Sequence, residues 1–291
     1  MELRQLRYLV ALADERHFTR AAARLRVAQP ALSQQIRKLE RELGVPLFDR
    51  TTRSVRLTEA GELLVVRARR VLAEIEDAGE ELRELAGVVA GRVTIGMSQT
   101  PGPFDVVGLL AGFHASFPDV ELAMREDLSV SLAGQLRAGE LDVAFLTIVD
   151  EPDTSGLTVH PLAVEELLVV LAPGHPLAGR ERLAVDELRE EEFVSFPRGA
   201  TIRRAVERRA REAGFEPRTV FETSEVSRTR ALVSGGLGVA VLPRSDALAI
   251  GPPVAVAALE GPTLTHRVSL CWREGRRHSP ATRAFIERAR G

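Results

Sequence analysis

The sequence predicts an α/β protein carrying an all-α, winged-helix N-terminus. Three observations support this. Residues 18 to 61 have helix-turn-helix spacing, a strict apolar seam runs from Gly61 to Leu85, and from Arg92 onwards short apolar runs alternate with helical segments. A chain of 291 residues exceeds one small domain and suits two or three.

In the N-terminal segment, apolar or small residues fall at Ala21, Ala22, Leu25, Val27, Ala31, Leu32, Ile36, Leu39 and Leu43. This is helical spacing broken by a single turn. Thr19 is the expected N-cap of the first short helix. Val27-Ala28-Gln29 makes the turn, and Pro30 suits the opening of the second helix, where its missing N–H costs nothing. That helix is expected to turn Gln29, Ser33, Gln34 and Arg37 away from the apolar face. A helix lying in a major groove needs such donors and acceptors to read base edges, so duplex DNA is the expected partner. Leu47-Phe48 and Val55-Arg56-Leu57 then flank the polar tract Asp49 to Ser54, which reads as a hairpin wing. Its Arg50, Arg53 and Arg56 suit phosphates or a minor groove. The plainer alternative is a solvated charged turn.

Net charge is only −2, but its distribution is uneven. Up to Thr58 there are twelve bases against six acids, about +6, which leaves about −8 for the rest. A basic head on an acidic body fits a phosphate-binding module joined to something else.

Thr58 is the expected cap of a helix that runs to about Ala86. Gly61, Leu64, Ala68, Val71, Ile75, Ala78, Leu82 and Leu85 recur in it at alternating steps of three and four. A small DNA-binding domain has little surface of its own to cover that stripe, so the same helix of a second subunit is expected there. A homodimer would also supply two recognition helices to a two-fold operator. The alternative is that the stripe packs on its own wing and body. Residues 86 to 91 (AGVVAG) read as a hinge. The expected division is therefore 1–58 for the winged domain, 59–87 for the linker helix and 88–291 for an effector domain. Its first lobe would take about 92–161 and 266–291, its second about 162–265.

In that last part, strands are expected at Arg92–Gly96, Val120–Arg125 and Leu141–Leu146, with helices around Val106–Ser116 and Ser129–Ala138. This is the βαβαβ pattern of a parallel sheet. A second set follows, with strands at Leu167–Leu171, Phe193–Phe196, Val220–Glu222 and Leu237–Leu242 and helices at Thr201–Ala213 and Val226–Ser234. The strand Arg267–Trp272 and the helix Pro280–Arg290 close the chain. Two α/β halves joined by crossing segments enclose a cleft, and ligands sit at the C-terminal ends of such strands beside helix N-termini. The expected lining is Ser98, Gln99 and Thr100 after the first strand, Thr147 at the end of the third, and Phe196, Arg198 and Thr201 in the second half. Free N–H groups, hydroxyls and an arginine (Arg198 or Arg203) favour a small organic anion, with a carboxylate preferred. The alternatives are that the hydroxyls only cap helices, or that Pro101 and Pro103, by removing two donors, favour a more apolar ligand.

Other chemistries find little support. Cys271 is the sole cysteine, so no intrachain disulfide can form, and its strand context suggests an inert core thiol. The six histidines are scattered without ligand spacing, so neither metal nor cofactor is expected. Gly235-Gly-Leu-Gly238 precedes a strand instead of following one, which is the wrong context for a dinucleotide loop. Lys38 is the only lysine and lies in the helix-turn-helix, which rules out a phosphate-binding Walker loop and, elsewhere in the chain, a Schiff base. No apolar run approaches the ~20 residues of a membrane span, and the chain opens on an amphipathic helix, so a cytoplasmic protein is expected.

Four motifs, Phe18-Thr-x-Ala-Ala-x-x-Leu, Gln29-Pro-Ala-Leu-Ser-x-Gln-Ile-x-x-Leu-Glu, Gly44-Val-x-Leu-Phe-x-Arg and Leu57-Thr-x-Ala-Gly, occur in order. In this the chain resembles the LysR-type transcriptional regulators. The resemblance continues through Val93-x-Ile-Gly, Gly139-x-Leu-Asp, Pro173-Gly-His-Pro-Leu and Val233-x-x-Gly-x-Gly-Val-x-Val-Leu-Pro. It implies a linker-helix dimer, commonly assembled into a tetramer, and an effector domain like a type 2 periplasmic binding protein. It also implies base reading by Gln29, Pro30, Ser33 and Gln34 with Arg37 nearby, and phosphate contacts from Arg50 and Arg53. The expected function is thus a sequence-specific DNA-binding regulator, not an enzyme. A small effector would alter DNA geometry and access of RNA polymerase, itself a candidate partner. Two other classes compete: a small-molecule-binding protein or enzyme with an accidental basic head, and an architectural DNA-binding dimer.

Overall fold

The computed structural model describes residues 1–50, 55–85, 89–100, 102–149 and 153–291. They form two compact units. One holds Met1–Ala90 with the short stretches 138–140 and 278–280, and the other holds the remainder.

The N-terminal unit runs α1 (Leu3–Glu15), α2 (Phe18–Arg24), α3 (Gln29–Leu43), β1 (Phe48–Arg50), β2 (Val55–Leu57) and α4 (Glu59–Leu85). Leu6, Leu9 and Leu12 of α1 meet Ala21, Ala22, Leu32, Ile36, Leu39, Leu47 and Phe48 in one core. Thr19 does not cap α2. The chain is extended at His17, and the His17 Nδ1 accepts the Thr19 N–H at 3.2 Å, so Thr19 lies inside the first turn. α3 opens at Gln29 with Pro30 in its first turn and stops at Gly44, whose φ of 74° is the left-handed cap that glycine adopts without a Cβ penalty. β1 and β2 pair antiparallel, Phe48 opposite Leu57. The Thr58 hydroxyl accepts the Gly61 N–H at 3.0 Å and donates to the Pro46 carbonyl at 2.8 Å, which fixes the start of α4 against the wing.

The apolar seam of α4 is divided. Gly61, Leu64 and Ala68, with Val65 and Leu72, are taken up by the winged domain itself, because α1 lies along the first turns of α4. Val71, Ile75 and Ala78 are exposed. The Leu82 and Leu85 side chains fall outside the described residues.

The second unit begins with β3 (Gly91–Met97), α5 (Val106–Ser116), β4 (Val120–Glu126), α6 (Ser129–Ala138) and β5 (Val143–Ile148), and β3 pairs parallel with both β4 and β5. The strand expected at Leu167–Leu171 is a 15-residue β6 (Leu157–Leu171) that serves both halves. Its first part pairs antiparallel with β12 (Thr265–Arg273), which lies beside β5. Its last part pairs antiparallel with β10 (Ala240–Pro243) and β11 (Ala255–Leu259). The sheet is therefore mixed, not purely parallel. β7 (Arg182–Leu183) extends it beyond β11. β8 (Glu192–Ser195) and β9 (Arg218–Glu222) pair parallel, flanked by α7 (Thr201–Glu212) and α8 (Val226–Ser234). The short α9 (Arg244–Ala247) follows β10, and α10 (Pro280–Arg290) closes the chain. β7, β11 and α9 were not anticipated; β11 reads AVAAL, too small and too uniform to announce a strand.

One half has its core at Leu167–Leu171, Phe193, Val194, Val233 and Val239–Leu242. In the other, Leu132, Leu136, Leu141, Ala144 and Cys271 pack together, and Phe113, Phe145 and Phe285 contact edge to face. Among the described residues no helix is long and apolar enough to cross a membrane.

Candidate DNA interface and effector cleft

On α3 the core stripe is Leu32, Ile36 and Leu39; Gln29 and Pro30 in the first turn, and Gln34 and Arg37 across from the stripe, are exposed. Two expectations change at the edges of that stripe. Ala31 is exposed, and Ser33 is buried at 7% exposure, because position 33 follows Leu32 around the helix towards Ile36. The Ser33 hydroxyl accepts from the Arg37 Nη2 at 3.0 Å, so it is presented as part of an Arg37 pair and not alone. Thr19 is exposed at the start of α2. Arg50 lies on β1 but its side chain is outside the described residues, as is Arg53 altogether; Arg56 on β2 is exposed. Part of the basic excess is internally paired. Arg24 meets Asp14 at 3.0 Å and Lys38 meets Glu2 at 3.2 Å, which leaves Arg37 and Arg56 among the exposed cations on α3 and β2.

In the second unit, one cavity is lined by Ser98, Gln99, Thr100, Asp127, Leu128, Ser129, Thr147, Phe196, Ala200, Thr201 and Ile202. The structure thus brings together Ser98, Gln99, Thr100, Thr147, Phe196 and Thr201 from three separate loops and strand ends. Arg198 is not among the lining residues and is exposed. Arg203 is buried elsewhere. It donates to Glu207 at 2.7 Å, Glu222 at 2.6 Å and the Phe196 carbonyl at 3.0 Å, so it is a structural cation and not an anion receptor. The cavity volume is about 20 Å³, which holds little more than a water molecule, so a ligand needs the two halves to part.

The lining contains hydroxyls and helix starts but neither arginine nor lysine. The first turns of α6 at Ser129 and α7 at Thr201 both face it, and each presents N–H groups with no partner within its own helix. The Ser129 Oγ accepts the Thr147 N–H at 3.1 Å. The Asp127 carboxylate accepts from the Leu128 N–H (2.7 Å), the Ser131 hydroxyl (2.5 Å) and the Gln135 amide (3.2 Å).

Behind this wall runs a buried polar chain. Ser98 Oγ is 2.7 Å from Thr147 Oγ1, the Thr147 hydroxyl donates to the Thr100 carbonyl at 3.3 Å, and Thr100 Oγ1 is 2.9 Å from His266 Nε2. On the far side, His266 Nδ1 faces Glu165 Oε1 at 3.4 Å. Glu165 in turn accepts the Ser245 N–H at 2.6 Å and the Ser245 hydroxyl at 2.9 Å. Burial pushes the pKa of His266 down while Glu165 pulls the other way. Burial first, and the Glu165 charge second, push the Asp246 carboxyl up to about 6 against the opposing pull of Arg230. Sequence reasoning missed Ser129, His266 and Glu165. Ser129 opens a helix just after a strand, so the rule that selected Ser98 could have found it. His266 sits one residue before the expected strand and carries no motif.

Comparison with known proteins gives the same two-part division. Residues 3–62 match the family model of the bacterial regulatory helix-turn-helix protein, lysR family, and residues 86–291 match the LysR substrate binding domain. The chain is 38% identical over 252 residues to the DNA-binding transcriptional dual regulator OxyR of Escherichia coli, covering 87% of this chain and 81% of that protein. It is 34% identical over 290 residues to the transcriptional regulator BudR of Raoultella terrigena, covering 99% of both. Among solved structures, a full-length cysteine variant of OxyR from Pseudomonas aeruginosa superposes with a TM-score of 0.73 at 33% identity, covering 99% of this chain and 93% of that one. CbnR in complex with its target DNA gives 0.67 at 28% identity, covering 100% and 99%. Fold and motifs together define a winged-helix DNA-binding regulator with an effector-binding domain. The chain belongs to the LysR family of transcriptional regulators. Its relatives are transcription regulators, not enzymes.

Proposed function

We propose that this regulator reads its operator through Gln29, Pro30, Gln34 and the Ser33–Arg37 pair on α3, anchors on phosphates through Thr19, Arg50 and Arg53, and senses a small organic acid in the Ser98–Thr147–Thr201 cavity. The division into a winged domain (1–58), a linker helix (59–87) and an effector domain (88–291) belongs to the same reading. The observation that carries the effector assignment is the convergence of two helix starts and several hydroxyls on a single small cavity. Because no cationic side chain lines it, backbone N–H groups and hydroxyls must hold the carboxylate.

Closure of the two halves around the acid, through β6 and β12, is the proposed signal, altering how DNA is bent and how RNA polymerase reaches the promoter. Assembly proceeds through two surfaces. The exposed Val71, Ile75 and Ala78 of α4 join two protomers into a dimer, and the free edge of β4 with Val107 and Met124, 76% and 46% exposed, joins dimers into a tetramer.

A second reading is favoured by relatives named hydrogen peroxide-inducible genes activators, 38% identical. Thiol chemistry is poorly served in this chain. Cys271 is fully buried in β12, and desolvation pushes its pKa to about 12, so thiolate is scarce. A peroxide would have to act as a neutral ligand in the hydroxyl-lined cavity.

The test has two arms. Gln29→Ala should weaken one specific operator about 5-fold or more, from loss of a base contact of ~1–3 kcal/mol, and spare bulk DNA; equal losses on both DNAs refute base reading. Isothermal titration of the full chain with small carboxylates and with hydrogen peroxide identifies the ligand class, and Ser129→Ala should weaken whichever binds. If no carboxylate binds, the organic-acid assignment falls.

A further inference from the structure

We propose that His266 sets the hydrogen-bond polarity of the effector cavity: its buried pairing with Glu165 fixes the direction of the Thr100–Thr147–Ser98 hydroxyl chain, and so decides whether the cavity takes a hydrogen-bond donor or an anion. This deepens the effector reading given above and rests on it.

A hydroxyl chain has a direction, because each member donates one proton and accepts others. His266 is fully buried, and Glu165 Oε1 stands 3.4 Å from its Nδ1, placed as the partner of an ion pair and not as an aligned hydrogen-bond acceptor. A neutral imidazole therefore keeps its proton on Nδ1, facing that negative charge, and leaves Nε2 as an acceptor. The Thr100 hydroxyl then donates to Nε2 across 2.9 Å. The Thr100 oxygen, its proton given to Nε2, accepts from the Thr147 hydroxyl at 3.3 Å, and the Ser98 hydroxyl donates to Thr147 Oγ1 at 2.7 Å. Every proton points inward. Ser98, which lines the cavity, shows it only lone pairs. That wall accepts from a ligand donor such as a protonated acid, an amide or a hydroperoxide, and it repels a carboxylate.

One proton reverses the chain. Taken from water onto Nε2, it turns His266 into an imidazolium balanced by Glu165. Nε2–H then donates to Thr100, Thr100 donates to Thr147 Oγ1 across 3.3 Å, Thr147 donates to Ser98, and the Ser98 proton points into the cavity. The wall now receives an anion. Binding a carboxylate should therefore take up one proton.

The charged groups around His266 suit this exchange. Glu165 faces it from β6, and Ser245 of α9 holds Glu165 by two hydrogen bonds. Asp246 adds a second acid beside Glu165, restrained by Arg230 of α8, which donates to the Asp246 carbonyl at 3.0 Å. Glu166, next along β6, is engaged by Arg244 at 3.5 Å. From the other side come Thr100, Thr147 and Gly102, the last with φ of 62° and so close that a Cβ would stand 2.9 Å from Glu165 Oε1 and in van der Waals contact with the His266 ring. Two carboxylates on one side and hydroxyls on the other make a place where a proton can be gained without an unbalanced buried charge.

The test uses the full chain with ¹⁵N-labelled histidine, His266 being assigned by its loss in His266→Gln. At pH 7.5 without ligand, His266 should show a proton on Nδ1 and a bare Nε2; a proton on Nε2 under those conditions overturns the proposal. Thr100→Val, which keeps shape and removes the hydroxyl, should shift the Nε2 signal while leaving Nδ1 protonated; no change overturns it as well. The probes are acetate and its neutral counterpart acetamide. Saturating acetate should protonate both nitrogens, and its affinity should fall about tenfold per pH unit above the titration point, as expected for uptake of one proton. Acetamide affinity should stay flat, and acetate should lose its pH dependence in His266→Gln. Acetate bound with His266 still singly protonated overturns the inference. Should acetate leave every cavity signal unmoved, the organic-acid reading falls, and the tautomer and Thr100→Val results still decide for or against the directed chain.

Discussion

The Glu40 carboxylate of α3 accepts the backbone N–H of Leu47 at 3.0 Å, and the same oxygen lies 3.3 Å from the Phe48 nitrogen. The helix that faces DNA is thus tied to the strand that starts the wing. Glu40→Ala would leave two N–H groups without their acceptor beside a buried Leu47, at a cost of about 1–3 kcal/mol. Chemical denaturation should show a lower midpoint with an unchanged slope. Operator affinity should fall at a temperature where the domain is still folded, because wing and helix no longer share one frame. Full stability in Glu40→Ala would show that these bonds are idle.

Gly61 sits in the first turns of α4 where a Cβ would strike the Leu47 carbonyl and the Leu57 side chain. The obstruction on one side is backbone, which cannot rotate away. Gly61→Ala gains helix propensity of roughly 1 kcal/mol, yet it must push α4 off the wing, at a cost of about 1–3 kcal/mol. The net expectation is a less stable N-terminal unit, read as a lower melting temperature. The same substitution at Gly79, where nothing lies within 4 Å of the new methyl, should raise it or leave it unchanged.

Asp246 supplies a pH dependence whose sign follows from its raised pKa. The folded protein holds the Asp246 proton up to about pH 6, whereas the unfolded chain releases it near the ordinary 3.8. Between these values the folded state binds the extra proton, so the contribution is full below about pH 4 and disappears as pH rises through 6. The range spanned is on the order of 3 kcal/mol. Asp246→Asn removes the ionisable group and should flatten that fall. Urea unfolding at pH 4.5 and pH 7.5 should therefore show the variant gaining stability on wild type only at the higher pH. His266, with its pKa pushed below the ordinary value, works in the opposite sense. It favours the folded state above about pH 6.5 and costs stability as pH falls through that region. A double variant separates the two.

Much of this was legible because local chemistry and tertiary role coincide. The helix bounds Val106–Ser116, Ser129–Ala138, Val226–Ser234 and Pro280–Arg290 follow from cap and periodicity signals alone. The cavity residues Ser98, Thr147 and Thr201 follow from the rule that ligands collect at strand ends and helix starts. What escaped depends on contacts far apart in sequence. The early part of β6 alternates poorly and contains Pro161, so only its pairing with β12 makes it a strand. Ser33 is expected on the outer face, yet it stands at the edge of the core stripe, is buried, and accepts from Arg37 one turn on. Arg198 had the right charge in the right loop, but the turn carries it away from the cavity. His266 acquires meaning only through Thr100 and Glu165, 166 and 101 positions earlier in the chain.

The divided seam of α4 makes a final prediction. Gly61, Leu64 and Ala68 are consumed by the winged domain, so substitution there should damage folding before assembly. Val71 and Ile75 are 43% and 40% exposed, and an apolar pair one turn apart on a charged helix has no role in the core of its own unit. Val71→Glu with Ile75→Glu should leave thermal stability of the winged domain intact and raise the monomer fraction in sedimentation velocity at micromolar concentration. Losing the second recognition helix removes the avidity of a paired site, so binding to a full operator should drop about 100-fold or more, while binding to an isolated half-site changes little. A variant that stays dimeric would move the interface off this face. One that monomerises yet binds the full operator normally would mean that the two half-sites are read independently.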